Sequence, residues 1–110
     1  MNHDLVLYLN GQVCLEAARS GGIPGHVRAW LDRLDADMND GIELDDGPVA
    51  APDVRQRGQF VLARLLAALG EGKMDFARSL LFYLATRWPD LRAIRVSEDA
   101  DQWTAELDYG

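Results

Sequence analysis

Three segments of the chain repeat apolar residues at the spacing of an amphipathic helix. In the first, one apolar stripe contains Val27, Trp30, Leu31, Leu34 and Met38, and the acids Asp32, Asp35, Asp37 and Asp40 lie away from it on the solvated face. The other two lie within the most apolar stretch of the sequence and are separated by the glycine-containing residues 70–72. The pattern predicts three helices, over about residues 24–38, 52–69 and 73–87, with Pro24 or Gly25 near the start of the first.

The N-terminal segment has the pattern of a β-hairpin. Two apolar runs flank Asn10-Gly11, the dipeptide that best fits a two-residue hairpin turn. A regular turn there places Tyr8 opposite Val13 and Val6 opposite Leu15. These four residues form a uniformly apolar face, which we expect to meet the core.

The C-terminal segment predicts a second hairpin, formed by residues 91–97 and 102–109. Its last strand alternates Trp103, Ala105 and Leu107 with polar residues, as a half-buried strand does. Residues 40–53, between the first two helices, are rich in acids, glycine and proline and predict an acidic loop. The order of elements predicts one α+β domain over residues 1–110, with an antiparallel sheet packed on one face by the helices.

The second and third helices carry more apolar surface than one core needs. Each has apolar residues on two sides, and a chain of 110 residues is too short to cover them all. Gly58, in the middle of the second helix, lowers helix stability and predicts a close approach by another element. The surplus predicts an interface made of Phe60, Phe76, Leu80, Phe82 and Tyr83.

Composition narrows the classes of partner. Eighteen acidic and eleven basic residues give a net charge of −7, so neither nucleic acid nor an anionic membrane is an expected partner. The single cysteine, Cys14, cannot form an internal disulfide bond, and no apolar leader opens the sequence. We therefore expect a soluble cytoplasmic protein.

The sequence DADMNDGIELDD, residues 35–46, resembles the calcium-binding loop of an EF-hand. The resemblance breaks at Gly41, which stands one position later than the loop's sharp turn requires. The first acids also continue the predicted first helix, so their side chains would point in different directions. We predict no metal site. The weak candidates for metal ligands are Asp35, Asp37, Asn39 and Asp46.

No other residue pattern indicates a catalytic or cofactor site. Cys14 could pair with His26 or His3, but a mid-strand cysteine without a basic neighbour is not activated as a nucleophile. Arg57 and Arg64 share one flank of the second helix and could bind an anionic ligand or an acidic segment of a partner. We predict no catalytic residues and no cofactor.

The leading hypothesis is a small non-enzymatic protein that acts by self-association, as a homodimer through the helix pair, or by binding another protein. One alternative is a small-molecule-binding or catalytic domain with a pocket between sheet and helices. A second is an acidic inhibitor that mimics nucleic acid, which requires the acids of residues 32–53 and 98–108 to share one face.

Overall fold

The computed structural model describes residues 4–18, 24–44, 47–100 and 102–109. Three helices and six strands follow one another in this part of the chain. Among the described residues, no helix has the combination of length and apolar character that a membrane span needs. The elements are β1 (Leu5–Leu9), β2 (Gln12–Ala17), α1 (Gly25–Met38), β3 (Ile42–Leu44), β4 (Gly47–Val49), α2 (Val54–Gly70), α3 (Met74–Arg87), β5 (Ala93–Asp99) and β6 (Gln102–Asp108).

Four strands form one mixed sheet in the order β2-β1-β5-β6. Both terminal hairpins are present, since β1 pairs antiparallel with β2 and β5 pairs antiparallel with β6. The hairpins join through β1 and β5, which run parallel. The α+β class is confirmed, but the prediction of a purely antiparallel sheet is wrong. Three helices separate β1 from β5, which gives the chain enough length to return in the same direction.

The N-terminal hairpin contains a β-bulge that the sequence prediction lacked. Tyr8 faces Val13 as predicted, but Leu15 faces Leu7 and not Val6, because the register shifts by one residue at Cys14. An extra residue on one strand moves every residue beyond it to the opposite face. The predicted pairing of Val6 with Leu15 is therefore wrong.

The bulge decides which face of the hairpin meets the core. Leu5 and Leu7 are completely buried, together with Leu15, whereas 56% of Val13 is exposed. The face predicted to meet the core is thus exposed at Val13, whereas Leu5 and Leu7, on the other face of β1, are buried. These leucines belong to a single core cluster with residues of all three helices and of β5, among them Leu31, Leu65, Leu81, Leu84, Ile94 and Val96.

Helix α2 begins with a complete capping box. The carboxylate of Asp53 accepts a hydrogen bond from the backbone N–H of Gln56, and the Gln56 side chain accepts one from the Asp53 N–H. Five residues further on, Gly58 lies against the Trp88 ring, and a Cβ atom placed there would be 2.0 Å from Trp88 Cζ2. The predicted close approach at Gly58 is confirmed.

The segment predicted as an acidic loop contains a short hairpin. Strands β3 and β4 pair antiparallel, with Ile42 opposite Val49. Ile42 is buried in the core, so it anchors this hairpin to the helices. Gly41 has a φ of 110°, a conformation that favours glycine, and it separates α1 from β3.

Candidate interaction groove and the Asp35 network

An open groove of about 300 Å³ lies among the three helices and β3. Leu80 of α3 and Ile42 of β3 are buried residues at its base. Trp30 of α1, Phe60 of α2 and Phe76 of α3 line it, so each helix supplies one aromatic ring. We call this the aromatic groove. Its remaining lining residues are Arg33, Leu34, Asp37, Met38, Gly41 and Arg64.

Two of the three aromatic rings of the groove pack against each other, and all three remain partly accessible. Trp30 and Phe76 pack edge to face, with ring centroids 6.2 Å apart and planes at 85°. Phe76 is 37% exposed, and Trp30 and Phe60 are only partly buried. Aromatic side chains that are both ordered and incompletely covered are typical anchors for a binding partner.

Two guanidinium groups lie at the aromatic groove. The guanidinium of Arg64 lies over the Phe60 ring, 5.6 Å from its centroid. Arg33 lines the α1 side with Asp37. Within the described part of the chain, no ion pair joins Arg33 or Arg64 to an acid. The groove therefore offers two positive groups and one negative group beside apolar surface, in a protein whose net charge is −7.

The aromatic groove brings together three of the five predicted interface residues, Phe60, Phe76 and Leu80. Phe82 packs partly buried against the core and is not one of the lining residues. Tyr83 is 1% exposed, so it has almost no surface to offer a partner. Its hydroxyl is turned inward, towards Asp35 of α1.

Asp35 is the centre of a polar network that joins the three helices. Its Oδ2 accepts hydrogen bonds from Nε and Nη2 of Arg87 at 2.9 and 2.7 Å. Its Oδ1 accepts one from the Tyr83 hydroxyl at 2.5 Å and one from Nη1 of Arg57 at 3.3 Å. Arg57 also donates to the Asp35 backbone carbonyl and to Asn39 Oδ1, which ties α2 to the end of α1.

The network fixes the protonation states of its members. Burial alone would raise the pKa of Asp35, but hydrogen bonds from Tyr83, Arg87 and Arg57 together hold it below its ordinary value of 3.8. Burial and the hydrogen bond to Asp35 raise the pKa of Tyr83. At neutral pH the carboxylate is ionised and the phenol is protonated, so the network is a fixed set of charges that links α1, α2 and α3.

The residues considered for calcium do not converge. Both carboxylate oxygens of Asp35 are bound by its partners in the network, and Asn39 accepts from Arg57. Asp37 lies on the other flank of α1, at the aromatic groove. Asp46 lies outside the described residues. The residues that the structure describes contain no group of three or more His, Cys, Asp or Glu side chains placed to hold a metal ion.

Two features of α1 differ from the sequence predictions. Asp35 was expected on the solvated face, although it stands four residues after Leu31 and three before Met38, and so borders the buried stripe. Trp30 was assigned to that stripe and not to an accessible site. The i, i+4 spacing of Arg33 and Asp37 beside Trp30 was the signal that could have located the α1 wall of the groove.

No family model, no curated protein and no solved structure matches this chain. The aromatic groove and the Asp35 network are therefore interpreted from their own geometry.

Proposed function

We propose that this protein is a non-enzymatic binding module, and that its aromatic groove holds an apolar side chain of another protein next to an acidic residue. The observation that carries the proposal is the set of three partly exposed aromatic rings, one from each helix, beside two arginines. Such a combination favours a peptide segment, since the rings supply the apolar contact and the guanidinium groups select the neighbouring charge.

The packing of the core favours this proposal over a ligand pocket between sheet and helices. Core residues of both layers, such as Leu7 and Ile94 of the sheet and Leu81 of α3, are completely buried. The Asp35 network links the three helices, and both carboxylate oxygens of Asp35 already accept hydrogen bonds from side chains of the protein. Neither feature resembles a cleft with convergent, free polar groups, which a small-molecule or catalytic site needs.

The acidic-mimic alternative has less support. It requires the acids to form a continuous negative surface, but Asp32 and Asp35 bind Arg87, and Asp108 lies 3.7 Å from Arg95. A homodimer through the helix pair is also less favoured than the sequence suggested. Leu80 and Tyr83 are buried within the protein, which leaves the helix pair less apolar surface than predicted.

Selection from a library of displayed random peptides tests the proposal. We expect the enriched peptides to share a large apolar residue flanked by Asp or Glu. Phe76→Ser should weaken their binding about tenfold or more, since interface anchors contribute about 2 kcal/mol or more. Val54→Ser is the matched control, because Val54 is an exposed apolar residue of α2 that does not line the groove.

The charge requirement has a separate test with the same peptides. Arg64→Gln should weaken binding, and added salt should weaken wild-type binding in the same direction. Arg28→Gln is the control, because Arg28 is exposed on α1 but does not line the groove. Enriched peptides that bind wild type and Phe76→Ser equally well, or a selection without any enrichment, would overturn the proposal.

A further inference from the structure

Strand β6 forms one edge of the four-stranded sheet, and half of its backbone groups point away from β5. Asn10 N–H donates to the Val96 carbonyl, so this even-numbered residue of β5 directs its carbonyl to β1. On β6, the carbonyl of the even-numbered Asp108 points towards the start of β5, where it accepts from Arg92 N–H. The odd-numbered residues of β5 therefore face β6, and their opposite partners are the even-numbered residues of β6. The backbone N–H and C=O groups of Trp103, Ala105 and Leu107 point outward.

The side chains of the same three residues are incompletely covered. On the inner strands β1 and β5, the core-facing residues Leu5, Leu7, Ile94 and Val96 are at most 1% exposed. In β6 the core-facing residues are only partly buried. This row of apolar side chains would be covered if the sheet continued by one more strand.

Helix α2 approaches this edge at two places, near its middle and at its end. Its last residue, Gly70, lies near Trp103, and its residues Gln59 and Leu62 line a groove of about 520 Å³ with Leu107 and Tyr109. Apart from Arg55 at its start, the α2 residues on this side are small or uncharged. They are Gln59, Leu62 and Gly70, and helical spacing puts Ala63 and Leu66 on the same side.

We propose that a second copy of this chain binds at the β6 edge, with the two β6 strands antiparallel about a two-fold axis at Ala105. In this register Trp103 of one copy faces Leu107 of the other, so apolar residues meet on the inner face. On the outer face Thr104 meets Glu106, and Gln102 meets Asp108. The backbone groups of Trp103, Ala105 and Leu107 then all find partners, in a continuous eight-stranded sheet.

Charge disfavours one alternative register, and geometry favours this edge over the other. A shift that centres the axis on Glu106 would oppose two like charges directly, which disfavours strand pairing. At the other edge, β2 contains the bulge at Cys14, and bulges protect edge strands from pairing. β6 has seven regular pairs with β5 and no bulge. The sheet edge carries this proposal independently of the aromatic groove.

Disulfide cross-linking tests the register directly. In a Cys14→Ala background, Ala105→Cys places two thiols on the two-fold axis, with Cα atoms about 5.5 Å apart, a distance that a disulfide can span. Mild oxidation should give a covalent dimer on a non-reducing gel. Thr104→Cys is the matched control, because its two copies would be about 8 Å apart, and it should cross-link poorly.

Two charged substitutions of Thr104 test the proposed contact between the two β6 strands, which we call the seam, without a cross-link. Thr104 is exposed in the single chain, so both of its substitutions should leave the fold intact. Thr104→Lys faces Glu106 of the second copy and should tighten the dimer, whereas Thr104→Glu should weaken it, with a difference in dissociation constant of about tenfold. Sedimentation velocity across the micromolar range measures both, with circular dichroism as the check of folding.

Two further variants separate this seam from other modes of association. Ala105→Pro removes an outward N–H at the seam and should give a monomer, since proline is tolerated at a strand edge. Phe76→Ser should leave the dimer unchanged. A wild-type protein that stays monomeric across the micromolar range would overturn the proposal. A dimer that persists in Ala105→Pro would also overturn it, as would a dimer that is lost only in Phe76→Ser.

Discussion

The carboxylate of Asp35 binds two arginines and a tyrosine from other helices, which makes it a sensitive position for stability. Asp35→Asn keeps the shape of the side chain but removes the charge that Arg57 and Arg87 share. We expect a loss of about 1.5–3 kcal/mol in the free energy of unfolding at pH 7, the range for hydrogen bonds to charged groups. Urea unfolding measures it, and Asp37→Asn, on the other flank of α1, should change stability by less than about 0.5 kcal/mol.

The loss of stability caused by Asp35→Asn should depend on pH. The pKa of Asp35 is lowered in the folded protein, so its contribution is complete above the ordinary value of 3.8 and is lost as the pH falls through the folded pKa. The stability difference between wild type and Asp35→Asn should therefore be constant near neutral pH and shrink below about pH 4. A difference that persists unchanged in acid would show that the charge of Asp35 is not what stabilises the helices.

Among the glycines that the structure describes, Gly58 is the one where an added methyl group would meet the closest contact. Its missing side chain makes room for Trp88, since a Cβ atom would lie 2.0 Å from the ring. Alanine improves helix propensity by about 1 kcal/mol, but overpacking costs about 1–3 kcal/mol and must displace the indole. We expect Gly58→Ala to be net destabilising in urea unfolding. Gly70→Ala, where the nearest Trp103 atom is 3.9 Å away, should not be.

At the scale of elements, the helices were predictable and the hairpin register was not. Helical periodicity located α1, α2 and α3 to within a few residues, because proline and glycine mark their ends. Asn10-Gly11 located the first hairpin turn. The bulge at Cys14 leaves no comparable signal, since both faces of this hairpin carry apolar residues and alternation cannot tell which one is buried.

The orientation of the first hairpin has a direct test. Leu15 is in the core and Val13 is 56% exposed, so Leu15→Ala should lower the free energy of unfolding by about 2–5 kcal/mol. Val13→Ser should lower it by less than about 0.5 kcal/mol. Comparable losses for the two variants in urea unfolding would contradict the bulged register.

The aromatic groove was predictable only in part, because it depends on how elements meet. The surplus of apolar residues pointed to Phe60, Phe76 and Leu80, and these do line the groove. The contribution of α1 depends on its rotation about its own axis. That rotation places Asp35 against Arg57 and Arg87 and leaves Trp30 and Arg33 at the groove. Such pairing between distant residues leaves no local pattern in a single sequence.

At the scale of the whole molecule, the order of strands determines which strands lie at the edges of the sheet. Because β1 and β5 pair in the centre, both hairpins place their second strand at an edge. The bulge disrupts one edge, and the other is regular along its seven residues. The parallel pairing was not predictable from hairpin signals, which report only on neighbours in sequence.

If two copies join at the β6 edge, thermal stability must depend on protein concentration. Association of folded chains stabilises the folded state by mass action, so the Tm of wild type should rise as the protein is concentrated. Ala105→Pro should have a Tm that does not change with concentration, and Thr104→Lys should have a steeper dependence than Thr104→Glu. Calorimetry over a hundredfold range, about 1–100 μM, measures all four proteins. A concentration-independent wild-type Tm would contradict the seam, because a monomer unfolds with a fixed midpoint.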